Sequence, residues 1–246
     1  MTEVLDNPLF DDQKVSFAVI RVPFFLMPHY DENKPHIETN RRRLVQKWGG
    51  QDGWEQQKHH HNLKGRGQEA GIPHFNLDRL TSNTMASHRL IQHLGKTYGL
   101  HVSESIYDLL NEYYFVDGHS LNDRPRLAKV VAEKLRSSST FSVKNNDSKV
   151  PAPSEEDLLQ FLNSNDGRKE IETAIRTLNE FGIHSIPQFI INGEIAVDGA
   201  ALSDTFIGVF RKIEKEHYNN NATTQKTIFA EILGIDPQIV QQGSHS

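Results

Sequence analysis

GIHSIPQFIINGEIAVDGA, residues 182–200, decides how the chain is read. Two short apolar runs, QFII (188–191) and EIAV (194–197), flank Asn192-Gly193. Asn-Gly between such runs is the strongest short signal for a β-hairpin, because both central residues of a type I′ turn take positive φ. Ile186-Pro187 just ahead is extended, since the residue before a proline is held out of the helical region. Asp198-Gly199-Ala200 reads as a turn after the hairpin, and glycine there also permits close approach of a ligand.

Outward from the hairpin, residues 202–217 carry Phe206, Val209, Phe210 and Ile213 on one face of a helix. A polar linker at 219–221 leads to a short helix near 228–233, and the last residues read as disordered. Far upstream, VSFAVIRV (15–22) is apolar at nearly every position and suits a strand buried on both faces. It ends at Pro23, and the segment to Pro28 is extended.

The middle of the chain is helical in pattern. A helix over 38–48 is stopped by Gly49-Gly50, and the polar stretch 54–70 is helical in its first half, with Gly65 and Gly67 opposing a helix through its second. Ser82-Asn83-Thr84 caps a helix over 85–98 that Gly99 closes. Another opens at Ser103, with Ile106, Leu109, Leu110, Tyr113 and Tyr114 on its apolar face. Further helices are expected over 124–135, from a cap at 153–156 to Leu162, and over 168–181. Residues 137–153 form a loop. A strand and a hairpin so far apart, with helices between them, imply an α/β core that carries an all-helical insertion.

The 246 residues are 36% hydrophobic and 24% charged with a net charge of −5, which places the chain among soluble globular proteins. No basic stripe is evident, so nucleic acid is excluded as the default partner. No apolar run approaches a membrane span and the N-terminus lacks a signal pattern, so the chain is expected to be cytoplasmic and not membrane-bound. It contains no cysteine, which removes disulfides, thiolate metal sites and thiol nucleophiles. His59-His60-His61 is a surface run without the carboxylate spacing of a closed site, so no metal is expected.

Taken in order, several blocks resemble the DsbA-like family, in particular its branch near hydroxychromene-carboxylate isomerases and kappa-class glutathione transferases. They are Pro23-Phe24-x-Leu26-x-Pro28, Asn83-Thr84-x-x-Ser87-His88-Arg89-Leu90-Ile91, Tyr113-Tyr114-Phe115-Val116-Asp117-Gly118, Phe161-Leu162-x-Ser164-x-x-Gly167, and the stretch from Gly182 to Ala200. The resemblance implies an α/β, thioredoxin-like fold lacking its first βα unit, as in an N-terminally truncated member, with a large all-helical insertion. Residues 15–30 and 183–217 would form the partial thioredoxin-like domain, 37–182 the insertion, and 218–246 a tail.

It further implies a cis-proline at Pro187 whose preceding residue, Ile186, pairs with an extended peptide or glutathione. Substrate-binding residues would be Ser185, Ile186, Pro187, Asp198, Gly199, Asn83 and His88. Asn83 is read first as a helix cap and second as a ligand. His88-Arg89 is read first as a pair bonding across the insertion and second as a substrate contact. The family activity implied is thiol–disulfide oxidoreduction, for which this chain holds no catalytic residue. Two alternatives stand beside it: a glutathione-dependent isomerase or transferase, and a non-catalytic module that binds peptide or glutathione. Partners are a thiol or disulfide peptide or glutathione, with glutathione a cosubstrate rather than a resident cofactor. The sequence sets no oligomeric state.

Overall fold

The structure, a computed structural model, describes residues 1–10, 15–69, 71–72, 74–137, 151–193, 195–199, 201–220 and 228–244. In chain order its elements are α1 (Thr2–Asp6), α2 (Asn40–Lys47), α3 (Gln51–His61), α4 (Leu63–Glu69), α5 (Met85–Tyr98), α6 (Leu100–Asn111), a π-helical turn (Glu112–Val116), α7 (Arg124–Ser137), α8 (Glu155–Asn163), α9 (Arg168–Glu180), β1 (Gln188–Ile191), β2 (Ile195–Asp198), α10 (Ser203–Asn220), α11 (Ile228–Ile232) and α12 (Pro237–Gln242). Two compact units divide the chain: Met1–Phe24, Gln92–Glu104 and Gly167–Ser246 form one, Phe25–Ile91 and Ser105–Asp166 the other.

Among the described residues 59% are helical and 4% lie in strands, and their sheet is a two-stranded antiparallel hairpin. This corrects the expected fold class. A thioredoxin-like α/β core needs a several-stranded sheet with helices on its faces, and the oxidoreductase expectation tied to that core loses its support along with it. Residues 15–22 account for the difference. They form no strand, and none of them is fully buried. Their backbone is held instead by the C-terminal residues: Ser244 N–H and Oγ donate to the Phe17 carbonyl at 2.7 and 3.1 Å, and Val19 N–H donates to Ser244 Oγ at 3.0 Å. A β-branched run favours an extended backbone, but becomes a sheet strand only where a neighbour offers a ladder.

In the unit that holds the hairpin, the N-terminal helix is clamped. Val4 is fully buried. Glu214 of α10 accepts the Leu9 N–H at 2.6 Å and the Arg211 guanidinium at 2.7 Å, and Arg211 donates to the Asn7 carbonyl at 2.6 Å. The tail, read as disordered, forms α12 under an Asp236 cap, and Phe229, Leu233, Ile235 and Ile239 are buried.

The other unit is built on short amphipathic helices. In α7 the buried residues Leu127, Ala128, Val131, Ala132 and Leu135 recur at one-turn spacing, and this stripe faces α8 with buried Leu158 and Leu162. Burying each large member stabilises the fold by about 1.5–3 kcal/mol. The cap expected at 153–156 forms at Ser154, and with Asp157 it closes a capping box on α8 that the sequence reading did not specify. Helix runs through Gly65 and Gly67 after a break at Asn62 (φ 41°), against expectation. At Gly67 the reason is packing: a Cβ there would come within 2.7 Å of the Phe75 ring. The expected loop at 137–153 lies largely outside the described residues. Among those described, no helix is long and apolar enough to cross a membrane.

Candidate functional site

The hairpin forms at the expected place, with its turn reset. Gln188 pairs with Asp198, Phe189 with Val197, Ile190 with Ala196 and Ile191 with Ile195, so three residues rather than two lie between the paired strands. Asn192 (φ 53°) and Gly193 (φ 77°) take the left-handed conformations that Asn-Gly tolerates best. The Ile186–Pro187 bond is cis, and the Gly199 N–H donates to the Pro187 carbonyl at 3.0 Å, which ties the two ends of the hairpin together.

One face of the hairpin is partly packed, with Phe189 still 38% exposed, and the other is more open. Phe189 meets Phe206 of α10 edge-on at 4.8 Å and Val197 is buried. Ile186 and Ile190 remain 49% and 44% exposed, and Ser185 and Pro187 are exposed as well. No third strand pairs with the hairpin among the described residues, and no hydrogen bond to a described residue engages the Ile186 backbone. Unpaired N–H and C=O groups beside exposed apolar side chains are what a strand edge offers to an added strand.

The remaining expected site residues, Asn83 and His88, belong to the other unit. Asn83 is 4% exposed; its amide donates to the Tyr30 carbonyl and its oxygen accepts the Met85 N–H, both at 2.8 Å, which is the capping reading. The half-buried His88 ring meets Phe25 edge-on at 5.1 Å. Its neighbour Arg89, 2% exposed, donates to the carbonyls of Asp166 (2.7 Å), Phe161 (3.0 Å) and Leu162 (3.4 Å) and lies over the Phe161 ring. The guanidinium therefore gathers carbonyls from the last turn of α8 and the residues just past it, of which the Phe161 carbonyl also accepts the Ser164 N–H and Oγ, a structural role rather than a free cation.

No protein-family model and no curated protein matches the chain.

Two features of this second unit went unread in the sequence. The Trp48 ring stacks between Trp54 at 5.7 Å and His61 at 5.9 Å, two residues seven apart and so on one face of α3. Arg41 lies over Trp54 at 5.7 Å while paired through two hydrogen bonds with Asp78, whose carboxyl it holds below the usual range. The second feature is Tyr113 in the π-helical turn. Burial, then the nearby Asp123 carboxylate, pushes its phenol up to about 12, and its hydroxyl has no hydrogen-bond partner among the described residues. Those residues contain no group of three or more His, Cys, Asp or Glu placed to hold a metal.

Proposed function

We propose that this chain is a DsbA-like family relative that binds without reacting, taking an extended peptide or the peptide-like backbone of glutathione along the hairpin edge beside Ile186. The observation that carries the reading is the open edge: a paired hairpin, exposed Ile186 and Ile190, and an Ile186 backbone engaged by no described residue. Main-chain hydrogen bonds would supply affinity, and Ile190 on the open face an apolar contact. The ordered sequence blocks support the family relation, and the absence of cysteine supports binding over thiol exchange. The cytoplasm is the compartment this reading favours.

Calorimetry with reduced glutathione, with an acetylated peptide of alternating Thr and Val, and with the same peptide N-methylated at alternate amides tests the proposal. Unmethylated ligand binds and the N-methylated peptide binds at least about tenfold more weakly, as loss of one or two backbone hydrogen bonds requires. Ile190→Asp lowers affinity while leaving the circular dichroism spectrum intact. Equal binding of both peptides, or no heat with any ligand, would sink the proposal.

A further inference from the structure

Residues 15–22 have the composition of a strand but form none, and the way Ser244 meets them is specific. Ser244 N–H donates to the Phe17 carbonyl at 2.7 Å, and Val19 N–H donates to Ser244 Oγ at 3.0 Å. A residue of an added parallel strand makes the same pair of contacts: its N–H goes to one residue, and its carbonyl takes the N–H two residues on. Here the hydroxyl stands in for that carbonyl, and it also donates to the Phe17 carbonyl at 3.1 Å. Ser244 thus sits opposite Ala18 in the manner of a partner strand.

The surroundings suit an apolar, uncharged neighbour. Phe17 meets Phe210 of α10 edge-on at 4.8 Å, while Ser16 and Ala18 are exposed and Phe17 and Val19 half-buried, the alternation of a strand with one covered face. Arg21, the one charged residue of the run, is drawn to Glu104 through two bonds of 2.8 Å. The close approach of Ser244 depends on the residue before it. Gly243 (φ 71°, ψ −179°) lies where essentially only glycine is found, and a Cβ there would come within 3.0 Å of the Phe17 carbonyl.

We infer that Phe17–Val19 is a strand-accepting edge latched shut by residues 243–244, and that its ligand is an extended, uncharged peptide parallel to residues 15–22. The peptide carries a polar residue opposite Ala18 and apolar residues on either side, turned as Phe17 is toward α10. It displaces Ser244, puts a carbonyl where the hydroxyl was, and adds beside Phe17 the apolar contact that Gly243 cannot supply. Release is local, because the buried residues Phe229, Leu233, Ile235 and Ile239 hold the tail upstream of the latch. This edge is separate from that of the hairpin and rests on its own observations.

The test uses the full chain carrying Ile190→Asp, so that the hairpin edge contributes little. A fluorescein-labelled peptide of alternating Thr and Val is titrated by anisotropy, and hydrogen exchange at the Val19 amide reads the edge itself. Ser244→Ala removes both hydroxyl bonds, which raises the open fraction of the latch about 5- to 100-fold. Val19 exchange should quicken by at least that factor, and apparent peptide affinity should rise with the open fraction for as long as the latch is mostly closed. Gly243→Ala should act in the same direction through backbone conformation, with Ser244 intact. Saturating peptide should restore Val19 protection in both variants. If Gly243→Ala lowers the helical circular dichroism, Ser244→Ala carries the test alone. The inference is overturned by any of three results: peptide affinity no higher in Ser244→Ala, tighter binding that leaves Val19 unprotected, or Val19 exchange no faster without the hydroxyl. None of these touches the hairpin reading, which is decided in the chain with Ile190 intact.

Discussion

Replacing Arg89 with Met removes a buried cation and its donors while keeping much of the side-chain volume. Each hydrogen bond from a charged donor contributes about 1.5–3 kcal/mol, and an orphaned buried carbonyl costs about 1–3 kcal/mol. Three carbonyls accept from this one group, the closest at 2.7 and 3.0 Å; the Phe161 carbonyl keeps the Ser164 N–H and Oγ as donors, and such contributions are not additive. Relief of the cation's own burial offsets part of the loss, which leaves about 4 kcal/mol, near the top of the range for single substitutions. With a urea slope of about 3 kcal/mol per molar, the midpoint falls by about 1.3 M. Tryptophan emission is the right probe, because Trp48, Trp54 and Arg89 belong to the same unit. Arg89→Lys keeps the charge but not the planar fork, and recovers about half of the loss. An Arg89→Met midpoint within about 0.3 M of the parent, about 1 kcal/mol at that slope, would refute the account of Arg89 as the group that closes α8.

Tyr113 sets an alkaline limit. Its raised phenol favours the neutral form in the folded state, so its contribution is intact below the ordinary value of 10 and is lost as pH rises through about 12. Tyr113→Phe should be neutral or slightly stabilising at pH 7 and should extend alkaline resistance; unfolding followed against pH checks both. Asn83→Ala removes two buried hydrogen bonds and should cost about 2–3 kcal/mol in thermal or urea unfolding, leaving glutathione and peptide affinity at the hairpin unchanged. Glu214→Ala unclamps the N-terminal helix: amide exchange in residues 1–10 should quicken about 10- to 100-fold while α7 and α8 keep their protection.

Local chemistry was legible in the sequence wherever the partners were neighbours. The Ser154 cap, the Asn83 oxygen beneath α5 and the positive-φ pair at Asn192-Gly193 all rest on contacts within a few residues, and each forms where the sequence implied. Reading failed where the outcome depends on a distant partner. VSFAVIRV has the composition of a strand, yet its backbone is met by Ser244 rather than by a sheet. Gly67 looked like a helix breaker, while its bare Cα is what admits Phe75. For the candidate site, the hairpin ligand residues lie together in one unit, while Asn83 and His88 belong to the other unit, a division that block order along the chain does not disclose.

The π-helical turn acts as a one-residue spacer. Its wide bond, Asp117 N–H to the Glu112 carbonyl at 3.0 Å, stores an extra residue at the C-terminal end of the helical run that begins with α6. Deleting Glu112 or Tyr113 would rewind the run to α-helix and swing the downstream residues by about 100° around the axis. The rings of Tyr114 and Phe115, each 5.1 Å beneath the Arg79 guanidinium, would then point elsewhere. Segment length between residues 112 and 116 is thus an angular setting for that aromatic pair, and a change of one in the residue count there should do more damage than most changes of residue type.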